Sequence, residues 1–237
     1  IAEKAFESAI EKGKNSIFLA ANDFANLSRV HLDQGNSKAA GEVIASNRKL
    51  LQETDEGKLV MAVVQGQISA QNGRHDEAKS FVREAIKLKD QGVKCEAELG
   101  LDMVQACVTV GLDDEAANLL SEVARNAHDS TRLLDRAKHI YQQANKESQV
   151  TLILQKSTEQ VAKLSKEGVL LMQQGKLKQG VGKLLLAAQE APRNPRVLMN
   201  TAWAILHLLE QEKQPIDLLE DARRILTQAA QLAPDHP

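Results

Sequence analysis

Residues 28–40 read SRVHLDQGNSKAA, residues 66–78 read GQISAQNGRHDEA, and residues 104–116 read VQACVTVGLDDEA. Each stretch carries glycine at its eighth place and alanine at its thirteenth. Gly35, Gly73 and Gly111 therefore recur every 38 residues, with Ala40, Ala78 and Ala116 behind them. Apolar residues at helical spacing flank every glycine. A fixed period of this length predicts stacked helix-turn-helix units rather than a globular enzyme. The glycine ends the first helix by taking the left-handed backbone conformation that other residues adopt at a cost. The alanine sits where two antiparallel helices cross most closely. Seven residues before the glycine stand Ser28 and Gly66, again small, while Val104 breaks this pattern.

Working outward, Gly175 and Gly180 repeat the spacing 64 residues after Gly111, so one further unit lies between them. Asn145, which tolerates the left-handed conformation, supplies its turn, with Val150 five residues later. The units begin near residues 21, 59, 97, 131, 161 and 195, with spacings of 38, 38, 34, 30 and 34. The spacings differ by four residues, about one helical turn, which keeps the apolar face in near-register. Residues 1–13 place Ala2, Phe6 and Ala9 as the second helix of a further unit, so the chain is expected to begin mid-repeat. Between Lys146 and Gly175, Ser157 followed by Gln160 resembles a capping box, and a short break is favoured there over one long helix.

Composition supports the helical reading. Aromatics make up only 3% of 237 residues, and no Val/Ile-rich strand runs occur, so the fold expected is all-α. Cys95 and Cys107 fall twelve apart in one predicted helix, about 18 Å along its axis, too far to pair. A reducing compartment, the cytoplasm, is the expected location, with the periplasm as the alternative. No run of about 18 apolar residues exists to span a membrane.

Catalytic and cofactor chemistry is not expected. His31, His75, His128, His139, His207 and His236 form no His-x3-His pair and have no adjacent cysteine for zinc, so neither a metal nor another cofactor is anticipated. His31 occupies a packing position. Residues 176–183, KLKQGVGK, lack the glycine and hydroxyl that a phosphate loop requires at Leu177 and Leu184. The Asn26-Leu27-Ser28 sequon falls in mid-helix. Charge is uneven: seven acids face one lysine between Lys94 and Val123, and five lysines face Glu167 between Lys163 and Lys183. Either these are solvated faces or they steer a partner electrostatically. Nucleic acid fits poorly, because no aromatic residue interleaves with the lysines and the net charge is −2.

The unit beginning near 161 resembles the tetratricopeptide repeat. Leu164, Gly168, Leu171, Gly175, Gly180, Leu184, Ala187 and Pro192 stand at that family's signature positions. The last unit follows with Leu198, Ala202, Ile205, Ala222, Leu226, Ala229 and Pro234, and Tyr141 stands at the family's first-helix tyrosine. About eight extra residues around Glu210 to Pro215 lengthen the last pair's first helix or its turn. The resemblance implies a superhelical solenoid of antiparallel helix pairs, about six units plus an N-terminal half-repeat, forming one domain over 1–237. Its first helices would line a concave groove that binds a protein or peptide.

By the same resemblance the groove residues are Asn22, Arg29, Asp33, Gln67, Gln71, Glu98, Gln105, Thr109, Ser165, Met172, Gln173, Arg196, Met199, Trp203 and His207. They lack the Lys/Asn set of carboxylate-clamp co-chaperones. Trp203 either anchors a partner side chain or packs within the array, and packing is favoured. Residues 2–16, AEKAFESAIEKGKNS, and the closing stretch from Asn194 are similar to the repeat region of bacterial response regulators that join a receiver domain to tetratricopeptide repeats. That implies a signal-transduction output module, with any phosphoacceptor aspartate upstream of Ile1. The alternative is an envelope adaptor for a pilus or secretion complex. Association through the terminal repeats is compatible with both.

Overall fold

In the computed structural model, residues 8, 17–212 and 217–232 are described. Apart from residue 8, the half-repeat expected over 1–13 lies outside the described residues, as do residues 213–216 of the expected insertion. The helices are α1 (Ile17–Asp33), α2 (Ser37–Ser46), α3 (Arg48–Gln52), α4 (Asp55–Gln71), α5 (His75–Asp90), α6 (Ala97–Val110), α7 (Asp113–Asn126), α8 (Thr131–Gln143), α9 (Glu147–Gln173), α10 (Leu177–Glu190), α11 (Pro195–Glu212) and α12 (Asp217–Leu232). No strand occurs among the described residues. The fold is all-α among the described residues, with helices packed in consecutive pairs. The chain forms two compact units, residues 1–120 with 136–147 and residues 121–135 with 148–237.

The glycine beat has one physical cause. Gly35, Gly73, Gly111 and Gly175 all take φ between 72° and 75°, and Asn145 takes 57°. In each turn the next residue's amide reaches back five residues to a helix carbonyl: Asn36 to His31, Arg74 to Ser69, Leu112 to Cys107, Lys146 to Tyr141 and Lys176 to Leu171. This bond satisfies a carbonyl that the helix end would otherwise leave open. Gly92, which the repeat pattern does not flag, closes α5 in the same way, with Val93 bonded to Leu88.

In the first unit, α1 packs on α2 and α4, and α4 packs on α3, α5 and α6, so successive first helices lie side by side. The buried side chains there include Phe24, Leu51, Leu59, Leu101, Met103 and Tyr141. The extra turn in the 38-residue spacings is visible. Asn47 divides the first pair's second element into α2 and α3, and α5 runs 16 residues where α7 and α10 run 14. Cys95 precedes α6 instead of lying within it, because extended Glu96 opens that helix. Neither cysteine forms a disulfide, and burial pushes the Cys107 thiol up to about 12.

In the second unit, α10 packs on α11 and α11 on α12 around Leu184, Leu198, Ile205, Leu208 and Ile225. The break expected near Ser157 is absent: α9 runs unbroken for 27 residues. No glycine or proline interrupts Glu147–Glu167, Ser157 is buried within the helix instead of capping a new one, and the Thr158 hydroxyl donates back to the Leu154 carbonyl at 2.9 Å.

Gly168 on α9 and Gly180 on α10 mark a close crossing of the two helices. A Cβ on Gly168 would stand 2.6 Å from Leu184 Cγ, and one on Gly180 would stand 2.7 Å from Met172 Sδ and 3.0 Å from the Gly168 carbonyl oxygen. Gly182, two residues on in the same helix, would meet nothing within 4 Å. Gly168→Ala is therefore expected to cost about 1–3 kcal/mol through overpacking. Gly182→Ala is expected to stabilise by about 0.5–1 kcal/mol, through the lower helix propensity of glycine. Urea midpoints that move the same way in both variants would refute the close crossing.

Candidate partner-binding surfaces

The first unit carries a charged cluster on its first helices. Asp102 of α6 is 2% exposed. It receives Arg29 of α1 through Nε at 2.9 and 3.0 Å and through Nη2 at 2.7 Å, and Arg136 of α8 through Nη2 at 2.5 Å. Arg136 Nη1 also donates to Glu98 Oε2 at 2.6 Å and to the Glu98 carbonyl at 3.1 Å. Arg29 Nη1 donates to Asn26 Oδ1 at 2.8 Å. A carboxylate this deeply buried is tolerated because two guanidiniums neutralise it and its oxygens accept four hydrogen bonds. Burial works against the Arg29 cation, but the bond and charge of Asp102 outweigh it and hold Arg29 above its ordinary value. Burial pushes the nearby Asp33 carboxyl up. Asp102 adds to that shift, while Arg136 and Arg29 oppose it.

Several groove residues expected from the sequence meet at this cluster. Arg29 and Glu98 belong to the ion network, and Asp33 feels its charges. Gln67 is buried on α4, its Nε2 3.5 Å from Gln105 Oε1. Gln71 is turned to the backbone, donating to the Leu32 carbonyl at 3.0 Å, and Thr109 bonds its own helix at Gln105. Asn22 is half-buried on α1. The strongly acidic face expected between Lys94 and Val123 is in part neutralised: Glu98 and Asp102 pair with arginines, and Asp113 with Lys146. Likewise Lys183 pairs with Glu167 at 2.8 Å, a hydrogen bond that lowers the Glu167 carboxyl.

The second unit presents a different surface. Met172 is not a surface residue as expected: it is 5% exposed and fills the space beside Gly180 in the core, because that glycine leaves room for its thioether. Trp203, in contrast, does not pack away. It is 58% exposed and stacks on His207 with ring centroids 5.4 Å apart and an interplanar angle of 8°. Met199 and Leu206 are also exposed on α11. Arg196, Asn200, Trp203 and His207 follow one another at helical spacing and form one stripe of that helix.

A cavity of about 460 Å³ opens between α9 and the first turns of α11. Ser165, Gln173 and Arg196, all expected in the groove, line it together with Lys166, Val169, Leu170 and Asn200. Its wall is fixed by Asn194, which is 1% exposed. Asn194 Nδ2 donates to the Asn126 carbonyl and to Asp129 Oδ1, each at 2.8 Å. Its Oδ1 accepts the Val197 amide at 2.9 Å, and Asn126 Oδ1 accepts the Arg193 amide at 2.7 Å.

The groove positions carried over from the resemblance miss Asp102, Arg136, Lys166 and Asn200. A signal for them exists in the sequence. Asn26, Asp102, Arg136, Lys166 and Asn200 each stand five residues after the start of their units at 21, 97, 131, 161 and 195. In a chain where apolar residues dominate the first helices, that recurring polar place is conspicuous.

Among the described residues, no group of three His, Cys, Asp or Glu side chains is placed to hold a metal ion, and no helix is long and apolar enough to cross a membrane. The chain matches no family model. It matches no curated protein in sequence. Among solved structures it is similar to the apo form of the quorum sensor NprR from B. thuringiensis, at 12% identity over 99% of this chain and 71% of that one, with a TM-score of 0.43. The all-α fold rests on the chain's own turns and helix pairs.

Proposed function

We propose that this chain is a non-catalytic scaffold that binds a protein or peptide partner on the first helices of its pairs. The observation that carries the reading is the exposed α11 stripe, where Trp203, stacked on His207, stands out beside Met199 and Leu206. Tryptophan at 58% exposure is a poor use of a large apolar side chain unless a partner covers it. In the first unit the same register is filled by the Asp102 network, which suits support better than capture.

A displayed peptide library selected on the purified chain tests this. Enriched peptides are expected to lose at least about tenfold in affinity on Trp203→Ala, the effect of removing a buried aromatic anchor. The melting temperature should hold, since the indole is exposed. No enrichment, or binding indifferent to Trp203, would remove the reading. The finer reading, an output module of a receiver-domain response regulator, rests on the resemblance of residues 2–16 and of the stretch from Asn194. A receiver domain encoded upstream of Ile1 is its test.

A further inference from the structure

We propose that the cavity between α9 and α11 receives an acidic side chain of a peptide segment from a partner protein, whose neighbouring apolar side chain rests on Val169 and Leu170. This inference deepens the scaffold reading and rests on it. Three polar groups that line the cavity are donors without a hydrogen-bond acceptor. The Ser165 hydroxyl is buried with no hydrogen-bond partner. Lys166 is exposed and forms no ion pair among the described residues. Arg196 lies 3.9 Å from Asp129, beyond hydrogen-bond distance, with its side chain 76% exposed.

The acid that lines the cavity is already committed. Asp129 Oδ1 accepts Asn194 Nδ2 at 2.8 Å, so one of its oxygens is engaged by the buried asparagine that holds the wall in place, and its single charge stands against two cations. Lys166 and Arg196 therefore outweigh it, and the cavity has a net positive lining with a free hydroxyl among its donors. A carboxylate meets these groups with full ion pairs as well as hydrogen bonds, whereas an amide oxygen accepts the bonds without an opposite charge and an ammonium repels both cations. The opposite wall is apolar: Leu170 is 51% exposed, with Val169 beside it. A small inorganic anion would leave that wall in water. A peptide that pairs an acidic residue with an aliphatic one covers both parts, and the α11 stripe continues toward Trp203 for the rest of the segment.

The experiment is fluorescence anisotropy with matched labelled peptides in which one glutamate is flanked by leucines. Control peptides carry glutamine in place of glutamate, or serine in place of leucine. The glutamate-leucine peptides are expected to bind about tenfold more tightly than the glutamine peptides, as one charge-assisted hydrogen-bond set gives. The advantage should shrink as salt rises. The double variant Lys166→Gln with Arg196→Gln is expected to abolish the difference while melting as the wild type does, both side chains being exposed. Glutamine peptides that bind as tightly as glutamate peptides would overturn the acidic occupant and leave the scaffold reading standing. So would a glutamate preference that survives the double variant, since it would place the acid elsewhere. Absence of binding by every peptide would overturn both.

Discussion

Asp102→Ala is expected to destabilise the first unit by about 3–5 kcal/mol, the cost of removing one partner from a buried ion network. The physical reason is the state of what remains. Arg29 and Arg136 have side chains only 15% and 21% exposed, and without Asp102 they stay near each other as two cations with few acceptors. Arg136 keeps Glu98, but Arg29 keeps only Asn26. The partial exposure of the guanidiniums lets water relieve some of the penalty, which favours the lower end of that range. Hydrogen exchange locates the effect: amides of α1 and α8 should lose protection, while those of α11 and α12 should not. Because the pair is buried, added salt should change the wild-type value little. An Asp102→Ala variant with unchanged urea midpoint and unchanged protection in α1 would show that the network contributes nothing net.

Asn194→Ala should be nearly as damaging in the second unit, by about 2–4 kcal/mol. One part is the helix cap. Asn194 precedes Pro195 at the first position of α11 and accepts the Val197 amide, and loss of such a cap costs about 1 kcal/mol. The rest is the Asn126 carbonyl and the Asp129 carboxylate, left without their donor at a buried position at about 1–3 kcal/mol. Asn194→Asp separates the two parts. Aspartate keeps the cap acceptor but sets a carboxylate against two acceptors, so it should remain clearly destabilised. An Asn194→Asp variant as stable as wild type would show that the donor bonds carry no weight.

How much of this was legible in the sequence depends on whether a feature is local. The turns were: a left-handed residue at a helix end has few solutions, and Gly35, Gly73, Gly111, Asn145 and Gly175 all take that conformation. The continuity of α9 was misread because Ser157 and Gln160 satisfy a cap pattern locally, while the helix is decided by burial of Ser157 and Val161 against the rest of the unit. Met172 was misplaced for a related reason: the glycine that makes room for it lies on the next helix. The charged cluster was hidden by distance, since Arg29 and Asp102 are 73 residues apart and each alone reads as a solvated helix face. Trp203 was ambiguous because exposure of a single aromatic cannot be inferred from its own helix.

The bridge from Arg29 to Asp102 has a consequence for how the array can be altered. It joins the first helix of one pair to the first helix of the pair after next, passing the intervening α4. In an array with only nearest-neighbour contacts, units are interchangeable and the end unit can fray alone. Here the charges count the units: excising or duplicating the pair between them would strand Arg29 and Asp102 at the wrong separation. The first unit is therefore closed to modular editing, and its helices are coupled as a set instead of unravelling singly from the end.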